Sequence, residues 1–217
     1  MITVMSIYYP SDSEALRTEI AIAAARMIVE EGADYGNAKR RAARQILGDG
    51  KLRGDFLPDN AQVENEVRTH HALFFSDTQP ARLLHLRRLA LELMEQLAAF
   101  SPYLTGAVQN GTAGEHSDIH LQLFTDSSKE VSVFLMDRNL RFEVSESPHF
   151  KGCAEPVEML SFLCQRESVH LAVYAVDDFR GALKAGASGK VNRSDAVGLR
   201  KMIQQSATEK DVPCSQA

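Results

Sequence analysis

Residues 103–124 read YLTGAVQNGTAGEHSDIHLQLF, and the way this stretch folds decides how the rest of the chain is arranged. Its start, Tyr103-Leu104-Thr105, predicts a strand that runs to Gly106. Gly111 and Gly114 then predict a loop. From Asp118 to Leu123 polar and apolar residues alternate, the pattern of a strand with one buried face. Residues two apart on a strand share a face, so Asp118 and His120 are expected side by side. Two metal-binding side chains beside a glycine loop whose backbone can approach phosphate predict a nucleotide site.

Working outward, Ser127 and Glu130 have the spacing of a capping box, and a helix over 128–138 is expected, although Val131-Ser132-Val133 also suits a strand. Strands are predicted over 141–146, 157–165 and 169–176, the last two joined by a hairpin turn at Arg166-Glu167-Ser168. Residues 180–192 read as a Gly/Ala/Lys-rich loop. Ser194 is the expected cap of a short helix ending near Gln205, and the polar tail 206–217 is expected to be disordered.

Upstream, Leu16, Ile20, Ala23, Ala24, Met27 and Ile28 repeat at helical spacing over 12–31, with Ser13 as a cap and Gly32 as the stop. A second helix is expected from Asp34 or Gly36 to Gly48. A third opens at Asp59 or Asn60 and carries Val63, Val67, Leu73 and Phe74. A fourth, over 80–99, has the apolar stripe Leu83, Leu86, Leu89, Leu93 and Leu97, while Arg82, His85, Arg87 and Arg88 crowd its first half, where they are expected either to reach phosphate or to stay solvated. The expected fold class is therefore α+β, a sheet flanked by helices behind an N-terminal helical region. Three parts are predicted: 1–78 helical, 79–180 the α/β domain, and 181–217 a basic loop, short helix and tail.

Composition narrows the class. The chain has 217 residues, 44% of them hydrophobic, and no tryptophan, which suits a water-soluble globular protein. No apolar run has transmembrane length, and the first ten residues lack a signal peptide's pattern, so no membrane association is expected. The three cysteines, Cys153, Cys164 and Cys214, are odd in number and far apart, which predicts a reduced, cytoplasmic protein. Although the net charge is −5, two segments are basic. Residues 37–53 hold Lys39, Arg40, Arg41, Arg44, Lys51 and Arg53 against Asp49. Residues 180–201 hold Arg180, Lys184, Lys190, Arg193, Arg200 and Lys201 against Asp195. They are candidate contacts for nucleic acid, the plainer reading being solvated helix and loop faces. The first two helices, with their short glycine-containing turn, also have the outline of a helix-turn-helix.

A phosphate loop at 186–191 (GASGKV) is ruled out by spacing, since the first glycine is misplaced and Val191 stands where a magnesium-binding hydroxyl is needed. Residues 103–124 do better. They resemble the signature of the DNA polymerase β-type nucleotidyltransferases, especially the minimal ones. In that family a strand ends in Gly-Ser, a glycine loop follows, and the next strand carries Ser-Asp-x-Asp. Gly106-Ala107 stands at the Gly-Ser place, Gly111-Thr112-Ala113 in the loop, and Ser117-Asp118-Ile119-His120-Leu121 at the Ser-Asp-Ile-Asp-Leu place. The resemblance implies a nucleotidyltransferase-like mixed sheet and transfer of a nucleoside monophosphate from a triphosphate to a hydroxyl acceptor. It implies a divalent cation (Mg or Mn), with Asp118 and His120 as metal and catalytic residues. Gly106, Ala107, Gly111 and Ser117 would then line the nucleotide.

Two departures matter. The family's chemistry uses two divalent ions on a carboxylate pair plus a third carboxylate from a later strand. His120 puts an imidazole at the second carboxylate, which suits zinc, manganese or nickel better than magnesium. Ala107 removes a phosphate-binding hydroxyl. The third carboxylate is expected at Glu143 or Glu158, both on predicted strands. His116, Asp118 and His120 alternate on one face, yet the outer two sit roughly 13 Å apart, too far for one ion. A metal-free pairing of Asp118 with His120 or an arginine is the plainer alternative. His70, His71, His85, His149 and His170 show no ligand-like spacing with a carboxylate and are expected to be structural or surface groups. The competing functional class is a catalytically inactive module that binds nucleotide, RNA or a protein partner, and a dimerising scaffold is a third.

Overall fold

The computed structural model describes residues 12–48, 56–152, 155–179 and 192–208. The 186–191 segment, Lys51, Arg53 and the tail beyond 208 lie outside them. The chain divides into two units that meet between Ser76 and Asp77.

Among the described residues the first unit holds the α-helices α1 (Asp12–Glu31), α2 (Tyr35–Leu47) and α3 (Asn60–Phe74). Ile20, Ala21, Ala24 and Ala25 of α1 meet Ala38, Ala42 and Ala43 of α2 and Val63 and Val67 of α3 in one buried cluster. Alanines at these contacts let the helix backbones approach closely. Asp34 caps α2 through the Asn37 amide at 2.9 Å. Asp59 and Gln62 close a reciprocal capping box on α3 at 2.7 and 2.9 Å. Several basic side chains here have partners within the unit: Lys39 donates to Pro58 O and Asn60 Oδ1, and Arg41 pairs with Glu31 at 2.8 Å.

The second unit is α+β. In order it comprises α4 (Gln79–Gln96), β1 (Tyr103–Thr105), α5 (Gly106–Asn110), β2 (Ile119–Phe124), α6 (Ser128–Asp137), β3 (Phe142–Ser147), β4 (Val157–Cys164), β5 (Glu167–Tyr174) and α7 (Ala196–Thr208). The five strands form one mixed sheet, ordered β1-β2-β5-β4-β3. β2 and β5 pair in parallel, and the other neighbours are antiparallel. The alternation read in the sequence sorts the two faces: Ile119, Leu121, Leu123, Val169, Leu171, Val173 and Leu160 are buried against Leu86, Leu89 and Leu93 of α4, Val131 and Leu135 of α6 and Leu199 of α7. The helices thus pack on one face. On the other lie His120, His170 and Ser161, then, beyond Gln122 and Ala172, an aromatic cluster around Phe124 and Tyr174.

Local details differ from expectation for identifiable reasons. The glycine loop after β1 begins with one short helix, α5, because the Ala107 carbonyl accepts from the Gly111 and Ala113 amides at 3.0 and 3.1 Å. The β4–β5 turn is at Gln165-Arg166, not 166–168; both residues have positive φ (51° and 72°), the two-residue geometry that matches strand twist. Glu167 is consequently a strand residue. Ser127 makes no side-chain cap on α6, so the capping box does not form. Asp195, not Ser194, caps α7, accepting from the Gly198 amide at 2.7 Å, while Ser194 forms a bridge with Leu104. Arg87 is buried, not solvated, and donates to Val108 O at 3.2 Å.

Candidate metal centre

Strand register builds the site. Thr105, His120, His170, Ser161 and Glu143 are successive register partners across all five strands. They form a polar row on the face opposite the helices. Asp118, just before β2, joins His120 on that face, as the spacing of two predicts.

Asp118, His120 and His170 each offer one donor atom, all within 4.8 Å of one another. Asp118 Oδ2 is 3.2 Å from His170 Nε2. The His120 and His170 rings stack with centroids 4.8 Å apart and planes at 19°. Ligands of one zinc-like ion at about 2.1 Å lie roughly 3–4 Å apart, so the three donors would have to draw closer to share an ion. The donor set is one carboxylate and two imidazoles, which fits zinc, manganese or another transition ion rather than magnesium.

The surroundings hold these groups in place. His170 Nδ1 is 2.8 Å from Ser161 Oγ. A hydroxyl can donate or accept, so Ser161 serves either histidine tautomer, including the one that leaves Nε2 bare for a metal. Gly106 has φ +72°, and a Cβ there would stand 3.6 Å from His120 Cδ2. A side chain at 106 would therefore strain the backbone, although its Cβ would make only ordinary contact with the ring. His120 is exposed overall, yet protein atoms displace enough water from its ring to hold its pKa below the usual histidine value. The neighbouring His170 adds to this and Asp118 opposes it.

The 111–115 segment that leads to Asp118 is anchored to α4. Gln79 Nε2 donates to Gly111 O and Ala113 O at 3.2 and 2.9 Å. Arg82 donates to Glu115 O at 3.1 Å and forms a two-pronged ion pair with Glu167, which His85 also contacts at 3.1 Å. Ser117 Oγ accepts from the Gly114 amide at 3.0 Å. Ser117 thus closes the loop on itself, and Ala107 packs against the core.

Comparison with protein-family models gives no match, nor does comparison with curated proteins.

Of the expected later carboxylates, neither belongs to the cluster. Glu143 shares the polar row but sits on β3, three strands from His120, roughly 14 Å at ordinary strand spacing. Glu158 lies opposite Glu146, at odd spacing from Ser161, and so belongs to the other face. The third donor is His170, because β5 and not β3 or β4 lies beside β2. Of the histidines expected to be structural or surface groups, His170 instead joins the cluster and meets Asp118, whereas His85, His149 and His70 pair with Glu167, Asp178 and Glu30. His116 is not in the cluster. The missed signal was His170 opposite His120, visible only once β2 and β5 are paired in register.

Proposed function

We propose that this chain is a nucleotidyltransferase-like protein that binds a transition-metal ion at Asp118, His120 and His170 and a nucleoside triphosphate beside it. Transfer of the nucleoside monophosphate to a hydroxyl acceptor is the reaction this reading assigns. It rests on one observation, the convergence of three donor atoms within 4.8 Å just after the Gly106 turn. A bound divalent ion would supply Lewis-acid neutralisation of phosphate charge. Asp118 and the two imidazoles would hold it, Ser161 would orient His170, and Gly106 would let backbone approach the phosphates. The odd, widely spaced cysteines support a cytoplasmic setting.

The second reading is a module that binds nucleotide without transferring it, favoured by a cluster with only one carboxylate. Two-ion phosphoryl transfer needs negative ligands to hold both ions against each other, and one aspartate is a poor substitute for three.

Titration calorimetry with Mn²⁺, Zn²⁺ and Mg²⁺, then with ATP and GTP in the best ion, tests both. Expected is Mn²⁺ or Zn²⁺ binding well above that of Mg²⁺, with triphosphate affinity that depends on the ion. No metal and no nucleotide binding under any condition would sink the proposal. Pyrophosphate release in the presence of hydroxyl acceptors separates the enzyme from the silent binder.

A further inference from the structure

Away from His120, the polar row continues from His170 through Ser161 of β4 to Glu143 of β3. An open groove of about 600 Å³ lies over this part of the row, and its lining includes His170, Ser161, Glu143, Arg141 and Asn139. That volume is in the range of small-molecule sites. The groove thus joins one of the three donors to charged side chains two strands away. Leu163 also lines it and is 68% exposed, an apolar side chain on the same face as Ser161. The far end is fixed where α6 stops: Asn139 N donates to Met136 O at 2.8 Å and Leu140 N to Leu135 O at 3.1 Å. Arg141 precedes Glu143 by two residues, which puts both on one face. Among the described residues no ion pair engages either side chain.

We propose that this groove takes the base of the nucleotide and that the base is guanine. This rests on the nucleotide-binding reading above and names the base the site selects. The span fits. His170 and Glu143 are two strand spacings apart, roughly 10 Å, so a nucleotide with its phosphates at the metal end can lay its base against β3. Leu163 and Leu140, both on the groove wall, supply apolar surface for a planar ring. The polar groups then choose among bases. A carboxylate only accepts, through two oxygens, and guanine presents two adjacent N–H donors, at N1 and N2, that match Glu143. Arg141 and Asn139 carry donors for the neighbouring O6 and N7 acceptors of the same base. Adenine offers a single amino group flanked by two ring-nitrogen acceptors. In the same place it would set a carboxylate oxygen against a ring nitrogen, two acceptors opposed.

The test uses the full chain loaded with Mn²⁺ and calorimetric titration with GTP, ATP and inosine triphosphate. GTP should bind at least about tenfold more tightly than ATP, the discrimination of one bidentate pair. Inosine triphosphate, which lacks the amino group of guanine, should fall between them. Glu143→Gln puts a donor against the donors of guanine and should weaken GTP binding by about tenfold, with ATP binding unchanged within about twofold. Mn²⁺ affinity should also stay within about twofold, since Glu143 is not one of the three donors. Equal affinity of the native protein for GTP and ATP, or a Glu143→Gln loss shared equally by the two, overturns the inference and leaves nucleotide binding standing. Mn²⁺ binding without binding of any of the three nucleotides overturns the nucleotide reading and the base assignment with it, so the two failures are distinguishable. Should Glu143→Gln fail to fold, Arg141→Gln takes its place. A loss of about fivefold or more confined to GTP and inosine triphosphate, which share O6 and N7, is then expected, and unchanged GTP affinity overturns the inference.

Discussion

Two histidine–aspartate pairs on this unit are almost superimposable as chemistry and opposite in character. His170 Nε2 meets Asp118 Oδ2 at 3.2 Å, and His149 Nε2 meets Asp178 Oδ2 at 3.1 Å. In the first pair the side chains are 21% and 44% exposed; in the second, 6% and 18%. His149 has both nitrogens engaged, since Nδ1 accepts from the Lys151 amide at 3.0 Å, and Asp178 is also bound by the Lys151 ammonium. Packed edge-on against Tyr174, this pair fastens the 149–152 turn to the short helical turn Val176–Asp178. Asp118 and His170 instead lie beside His120, whose donor atom is within 4.8 Å of theirs. A histidine–aspartate pair becomes a site when donor capacity and access remain after the structural bonds are made.

The largest test of that contrast is removal of donors. Asp118→Ala or His170→Ala should reduce Mn²⁺ or Zn²⁺ affinity by about a hundredfold or more, beyond the range ascribed to outer-shell partners, in a metal titration. His149→Ala should leave metal affinity unchanged within about twofold. If His149→Ala weakened metal binding as much as His170→Ala, the distinction between site and staple would collapse.

The reverse should hold for stability. His149→Ala removes a buried ring and leaves Asp178 with one partner fewer, for a cost of about 2 kcal/mol, read as a lower denaturant midpoint at unchanged slope. Asp118→Ala, at a half-exposed position, should cost about 0.5 kcal/mol or less in the metal-free protein.

Acid separates the two pairs by pH window. The His120 pKa is held below its ordinary value, chiefly by loss of water around the ring. The unfolded chain therefore takes up that proton more readily, and metal-free stability should fall as pH drops below about 6.5, with the full deficit reached below the folded value. Asp178 acts in the same direction but at lower pH. Its pKa is lowered first by Lys151 and then by His149, so its contribution is complete above about 3.9 and is lost as pH falls through the folded value. Urea midpoints measured from pH 7.5 to 3 should show a first decline that His120→Gln removes, and a later one that Asp178→Asn removes.

Much of this was legible from periodicity. The apolar alternation of residues 118–123 and the leucine stripe of α4 gave the helix-backed sheet, because burial of one face leaves its period in the sequence. Asp118 and His120 were legible as neighbours for the same reason. His170 was not, since its place depends on β5 pairing in parallel with β2 across a long connection, and no local pattern encodes that choice. The β4–β5 turn was also misplaced, since Gln165 and Arg166 adopt positive φ without the glycine or asparagine that usually announces it. That shift hid Glu167 as the partner of Arg82. Arg87 looked like a surface cation in the sequence but lies inside, donating to Val108 O.

The subtlest test concerns Ser161, which touches no proposed ligand atom. Its hydroxyl, 2.8 Å from His170 Nδ1, fixes how that ring turns and which nitrogen carries the proton. A metal needs Nε2 deprotonated, so Nδ1 must carry the proton and donate it to Ser161 Oγ. Ser161→Ala removes the acceptor, and metal affinity should fall by about tenfold, the lower end for an outer-shell partner. Ser161→Thr keeps the hydroxyl and should recover most of it. The half-buried serine contributes little to packing, so the denaturant midpoint should move by no more than about 0.5 kcal/mol equivalent. Equal metal affinity in the native protein and Ser161→Ala would show that His170 is oriented by ring stacking on His120 alone, placing the pair closer in kind to His149 and Asp178 than the open geometry implies.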